Sequence, residues 1–597
     1  MCLVRNSAVF VKPLIEKYVN ITLNKDKSMA YTALLVMISF SLSLFAAPPD
    51  AGRILNEIKS SSSAAKPLPI SIIPPTEDKE SVDNGIKVLI KSFSFEGNEL
   101  ISSEELSRMM QDYIGQELSF NEIKNNVAYI SNFYEEKGYL ASARIPPQDI
   151  TGGSIKIIIL EAKFGSVKLN SISNEGSLIS RINPSKISEF IYPSDKRSQP
   201  FSSERLNRGI LIVNGLPGVN VDATLQAGED FGETDIIVSY ANTPLINASV
   251  SLDNKGSIAT GSDRLSTSIN LDSALGLAER LSLSTLKTDG VYFGELRLTT
   301  PIYYNGLTAS IYASYMQYEV IAGDFVTLEP HGRSIVYGTE FEYPIVKSRE
   351  NNLSARVSFS NNDFINKDNF NEVSSEYQTR IWSAVLLGDM TDNILNIAGA
   401  TSASVTLDSG KNNLSDNKTN LTLDQAGERT NGNFNRLTWN FNRKEYFEKF
   451  TLTVKGTGQI SNSNLDSSQQ ISLGGSSALR GYPTSEGSGS IGRIFNIEID
   501  KDILPNLNLK GFYDHGFIQK LQDNYTLTDR VNKINELNKY YLRDYGLGLS
   551  WFGPFNTTFS STWARRIGKN PNRDDAGKDG NGTKSDSVFW LTSSVNF

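Results

Sequence analysis

SVFWLTSSVNF, residues 587–597, is the stretch on which the fold turns. Phe589, Leu591, Ser593, Val595 and Phe597 share one face of an extended segment, while Trp590, Thr592, Ser594 and Asn596 share the other. One such segment fits a soluble sheet as well as a membrane wall, so the neighbours decide. Back to Ile246 about sixteen segments of this kind recur, near 246–254, 264–272, 279–287, 291–302, 306–319, 332–344, 352–361, 379–388, 399–407, 433–441, 449–460, 492–500, 507–514, 543–553, 556–565 and 587–597. Their connections alternate between terse (Tyr304-Asn305, Gly553-Pro554) and long (362–378, 408–432, 461–491, 515–542, 566–586), with one short exception at Thr288 to Gly290. A transmembrane barrel with short inner turns and long outer loops predicts this alternation, and a soluble sandwich has no need of it.

The composition agrees. Only 39% of the 597 residues are apolar, and after residue 50 no apolar run is long enough for a spanning helix. A barrel escapes that test because half of every strand faces water. The net charge of −8 offers no general attraction to nucleic acid. Cys2 is the only cysteine, and His331 and His515 the only histidines, which leaves little material for a disulfide, a metal centre or a catalytic triad. No nucleotide motif survives scrutiny: Gly487, Gly489 and Gly492 have dinucleotide spacing, but a strand follows them. No cofactor, metal or enzymatic activity is expected. DDAGKDGNG (574–582) lacks the spacing of a calcium loop and reads as a solvated outer loop.

Ahead of the barrel, residues 1–47 read as an export signal, with Lys25 and Lys27 before the apolar stretch Ala33–Phe45; translation could also begin at Met29. PPDAGRILNEIKS (48–60) predicts a short helix with Ile54, Leu55 and Ile58 on one face, and the Ser/Pro-rich 61–84 a tether. Two modules of one plan, β-α-α-β-β, follow at 85–163 and 164–243. Helix starts in the first are marked by capping-box spacing at Ser102–Glu105 and Ser119–Glu122. Ile123, Val127, Ile130 and Tyr134 make one apolar helical face, as Leu206, Ile210 and Val213 do in the second. Residues 244–597 complete the barrel. The expected fold class is thus α+β modules before an all-β transmembrane barrel of about sixteen antiparallel strands.

SLGGSSALRGYPTSEGSGSIG (472–492) lies in the long outer loop 461–491. A Gly/Ser-rich loop bearing one guanidinium predicts a finger folded into the lumen and pinned by a carboxylate. Gly481 is expected to let the backbone turn sharply beside Arg480. Partners follow from parity. In NLNLKGFYDHG (506–516) Leu507, Leu509 and Tyr513 point to lipid, so Asn508, Lys510, Phe512 and Asp514 face inward; on IGRIFNIEID (491–500) Asn496, Glu498 and Asp500 do the same. Asp514 and Glu498 are therefore lumenal carboxylates within reach of Arg480. The competing reading is a solvated surface arginine.

LGG…LRGY at 473–482 followed by FYDHG at 512–516 resembles the signature pair of the Omp85 superfamily. Two POTRA-like modules before such a barrel resemble the two-partner secretion transporters, the TpsB-type secretors of filamentous haemagglutinin and haemolysin. The resemblance covers nearly everything after residue 48. That family commonly has Val before the Arg-Gly pair and Phe after it, where this chain has Leu479 and Tyr482. The resemblance implies a lock between Arg480 and Asp514, with Glu498 a second candidate, carried by the loop motif Leu479, Arg480, Gly481, Tyr482 and the strand motif Phe512, Asp514, Gly516. It implies a plug helix at 48–60, periplasmic modules that bind an unfolded secreted exoprotein, and a monomer in outer-membrane lipid. It further implies that Phe597 is read by the barrel-assembly machinery. A barrel-assembly factor would commonly carry three or more such modules, and a passive porin would leave the modules and the loop unexplained.

Overall fold

The computed structural model describes residues 49–62, 87–171, 181–370, 373–394, 396–523, 538–574 and 576–597. The expected export signal and most of the expected tether lie outside them. Sixteen antiparallel strands close into a barrel, the first, Ile246–Asp253, pairing with the last, Ser587–Asn596. Alternation is the cause. Along Lys539–Phe552, Tyr541, Tyr545, Leu547, Leu549 and Trp551 are exposed, whereas Tyr540, Leu542 and Asp544 are buried. Lipid rewards an apolar side chain at every second position, and closure pairs every backbone group that an open edge would strand in hydrocarbon. No helix among the described residues is long and apolar enough to span a membrane.

The expected strands are present, but several are longer than alternation suggested. Asn351–Asp368, Val373–Ile394 and Ile397–Asn413 have 18, 22 and 17 residues, against about 9–11 for a crossing. Most of the loop expected at 362–378 is thus ladder, and 408–432 contains the helix Lys418–Ala426. Above the bilayer the outward face of a strand meets water rather than lipid, so the period that marks the crossing disappears.

The two modules repeat one topology. In the first, strand Ser92–Glu96 runs parallel to Ser154–Glu161, which pairs antiparallel with Ala141–Arg144. In the second, Lys163–Ser171 runs parallel to Glu233–Asn242, which pairs antiparallel with Val219–Ala227. Helix Phe120–Glu136 starts at a complete capping box: Ser119 Oγ accepts from Glu122 N at 3.3 Å and Glu122 Oε2 from Ser119 N at 2.7 Å. Ser102 caps helix Ser103–Met109 one way only, because Glu105 turns to Lys137 at 2.9 Å. Ile123, Val127, Ile130 and Tyr134 are buried against Ile155, Ile157 and Ile159. Helix Ser203–Asn214 of the second module reaches the barrel's inner turns, where Arg208 donates to the carbonyls of Pro344 and Ile345.

Candidate functional site in the barrel lumen

Loop 461–491 enters the barrel and turns back along a short antiparallel pairing of Ile471–Ser472 with Ser488–Gly489. At its tip Leu473, Leu479 and Tyr482 pack against Ile494, Ile518 and Leu542 of the wall. This apolar seat aims Arg480 at strands Ile491–Leu504 and Leu507–Gln519. Arg480 Nη2 donates to Asp514 Oδ1 at 2.7 Å and Nε to Oδ2 at 2.9 Å, a two-pronged contact. Nη1 donates to Glu498 Oε1 at 2.8 Å, and the guanidinium lies 3.4 Å from the Phe512 ring centroid. Asp514 is wholly buried and Arg480 nearly so. Every candidate of the loop and strand motifs meets here. Gly516 admits the loop, since a Cβ there would stand 2.9 Å from Leu473 and Leu479 side-chain carbons.

Gly481 serves differently from expectation. It is absent from the positive-φ glycines, and its need is close approach: a Cβ would stand 2.6 Å from that of Asp544. Asp544 is a wholly buried carboxylate opposite Asp514 in the ladder. Three further groups hold the site; parity already turns Asn496 inward, but none of the three is matched to Arg480 or its loop by the sequence. Asn496 donates to Asp514 at 2.7 Å and to the Ala478 carbonyl at 2.9 Å. Trp590 Nε1 donates to the Arg480 carbonyl at 2.8 Å. Arg566 donates to the Gly481 carbonyl at 2.9 Å, covers the Tyr482 ring at 4.6 Å, and is paired with Asp579 at 2.6 Å. Asp579 corrects the reading of 574–582 as merely solvated, for it is buried among Arg566, Arg573 and Asn570. Inward parity could have exposed Trp590, an indole N–H on the wet face of the last strand. Phe597 stands apart, exposed at the seam, its N–H donating to the Ala248 carbonyl at 2.8 Å.

The opposite flank of the finger holds helix Ala51–Ser62. Ala51, Ile54, Leu55 and Ile58 pack on a lumenal patch of Leu286, Met316, Val336, Phe364 and Tyr377. On its polar side Asn56 donates to the Gln470 carbonyl at 2.6 Å, Arg53 to the Ser485 carbonyl at 2.9 Å, and Ser467 to Asp50 at 2.7 Å. Glu57 accepts from the Ser485 hydroxyl. The helix is thus wedged between the wall and the finger.

A closed barrel with POTRA-type modules before it and a loop folded inside defines an outer-membrane transporter of Omp85 architecture, its modules in the periplasm. The model of the haemolysin secretion/activation family ShlB/FhaC/HecB matches residues 232–531, and that of the ShlB-type POTRA domain residues 88–162. The chain belongs to this family, that of the two-partner secretion transporters. It is 27% identical over 468 residues to the heme/hemopexin transporter protein HuxB of Haemophilus influenzae (strain 86-028NP), covering 76% of this chain and 79% of that one. The outer membrane transporter CdiB of Dickeya dadantii is 21% identical over 197 residues, 33% of each chain. Among solved structures, CdiB from Escherichia coli superposes with a TM-score of 0.66 at 16% identity, over 97% of this chain and all of that one, a likeness of fold.

Proposed function

We propose that the finger is the gate of this transporter and that Arg480 is its latch. In this reading residues 85–163 and 164–243 receive an unfolded exoprotein by pairing it to an exposed sheet edge, a mode that reads backbone more than sequence. The helix at 48–60 is the plug and 61–84 the tether on which it leaves. The barrel at 244–597 is the conduit, and folding of the cargo outside gives the direction. Phe597 addresses the chain to the assembly machinery, and the transporter works as a monomer.

One observation carries the reading: a single loop is anchored to the wall by Arg480 on one flank and holds the helix by Gln470 and Ser485 on the other. The helix cannot leave without breaking its bonds to the loop. The test uses the scarcity of cysteine. Asn56→Cys and Gln470→Cys, joined by a short bifunctional thiol reagent, should abolish export of a co-expressed exoprotein while the unjoined double variant exports. Undiminished export through joined protein would show that the helix need not leave.

A further inference from the structure

The outer surface behind the latch carries cations whose side chains take no part in holding Arg480. The parity that turns Asn496, Asp514 and Asp544 inward turns Arg493, His515, Arg543 and Arg565 outward. His515 lies opposite Phe495 and Arg543, Arg493 opposite Phe517, and Arg565 opposite Tyr545. With strands about 4.8 Å apart, the four occupy a patch about 20 Å across. Arg493, Arg543 and Arg565 are exposed, and among the described residues no carboxylate pairs with any of them. Aromatic rings interleave: Arg493 lies 5.2 Å from the Phe517 ring centroid, and His515 5.7 Å from that of Tyr541.

Position gives the patch its meaning. Ile497, Leu547 and Trp563 lie below it on the same outward face. The patch lies toward the loop ends of these strands, at the outer edge of the apolar band. An outward arginine is costly at the bilayer midplane and nearly free at the interface, so the site is tolerated there, and an anion makes it favourable. On the far wall the outward row Glu319, His331, Lys367 mixes signs and gives no such field.

We propose that this face binds a phosphate-bearing glycolipid of the outer leaflet. Its phosphates sit in the guanidinium forks of Arg493, Arg543 and Arg565 beside His515, and its acyl chains lie over Ile497 and Leu547. Planar forks suit phosphate oxygens better than point charges do, and aromatic rings at head-group depth hold the interface.

The test is native mass spectrometry of the full-length protein in detergent, with bisphosphorylated lipid A, its dephosphorylated counterpart and inorganic pyrophosphate as probes. Wild type should retain the bisphosphorylated lipid. R493Q/R543Q/R565Q should bind it at least about tenfold more weakly while the barrel keeps its heat-modifiable mobility. The dephosphorylated lipid should bind as weakly to wild type, and pyrophosphate should not displace the lipid. Equal retention by the triple variant, or by wild type of the dephosphorylated lipid, overturns the proposal. Displacement by pyrophosphate makes the patch a free-anion site and overturns the lipid assignment. Should the triple variant fail to assemble, R543Q alone should weaken binding about threefold and R333Q on the far wall should not; equal behaviour of these two overturns it.

Discussion

The two flanks of the finger are held by opposite chemistry. Toward strands 491–519 the contact is a buried guanidinium between two carboxylates, which tolerates almost no displacement. Toward the helix it is four apolar side chains on one side and, on the other, single hydrogen bonds: Asn56 and Arg53 donate to loop carbonyls, and loop hydroxyls donate to Asp50 and Glu57, with no ion pair between helix and finger among the described residues. A charge pair taken out of water is costly to break singly, because the abandoned partner stays desolvated. Apolar packing and single hydrogen bonds that pair no two opposite charges can be exchanged for water or for a passing chain at a smaller penalty. The helix side is therefore built to be vacated, and the arginine side to move as a unit or not at all.

The largest effect should come from Arg480→Ala. Lys455 and Lys510 still approach Glu498 at 3.1 Å, so the orphan is Asp514, facing Asp544. Removing one partner of such a pair costs about 3–5 kcal/mol. Export should fall at least about tenfold while surface-inserted barrel stays near wild type, as read by cargo in the medium against heat-modifiable barrel in membranes. Wild-type export would remove the latch from the mechanism.

The helix side should break differently. A side chain at Gly52 would meet Tyr377 Oη at 2.8 Å and Ser467 Oγ at 2.9 Å, so Gly52→Leu should expel the helix. Single-channel conductance in planar bilayers should rise severalfold while export persists. A channel as quiet as wild type would mean the wedge tolerates the bulk.

Arg480→Lys sharpens the contrast at smaller scale. Lysine keeps the charge but not the fork or the stacking on Phe512. Export should drop severalfold, between wild type and alanine. Equality with wild type would mean that charge alone suffices.

How much of this was legible beforehand follows from what imposed each pattern. Lipid acts on every second residue of every crossing, so the strands and their inward faces, Asp514 and Glu498 included, could be read directly. The strand extensions between 362 and 413 could not, because beyond the bilayer the outward face no longer meets lipid, and Phe364 and Tyr377 on the inward face serve the helix instead. Nor could the helix's seat. Met316, Val336 and Phe364 are apolar residues on a face expected to be wet, and they look like faults in the alternation until a helix more than two hundred residues earlier is placed on them. Asp579 was missed for a similar reason: its partner Arg566 is buried only because the finger covers it.

The smallest expected effect is of pH, and it also separates the two flanks. Asp466, on the finger, is pushed up to about 6 by burial and by the charge of Asp50 on the helix. Glu428 in a neighbouring outer loop is pushed up to about 7 by burial, with Asp466 and Asp50 adding to the rise and Lys520 opposing it. Asp424 adds to the rise at Glu428, the Tyr377 hydroxyl donates to Asp466, and Arg53 and Glu57 contact the finger at Ser485. A carboxyl whose pKa is higher with the helix seated than with it released binds more protons in the seated state. Seating is therefore strengthened as pH falls through about 7 to 6 and weakened as it rises. Opening events of the wild-type channel should be several times more frequent at pH 8 than at pH 5, while Asp466→Asn should flatten most of the dependence. Arg480 stays charged throughout, so a pH response that instead vanished in Arg480→Lys would place the titrating contact on the latch rather than on the helix.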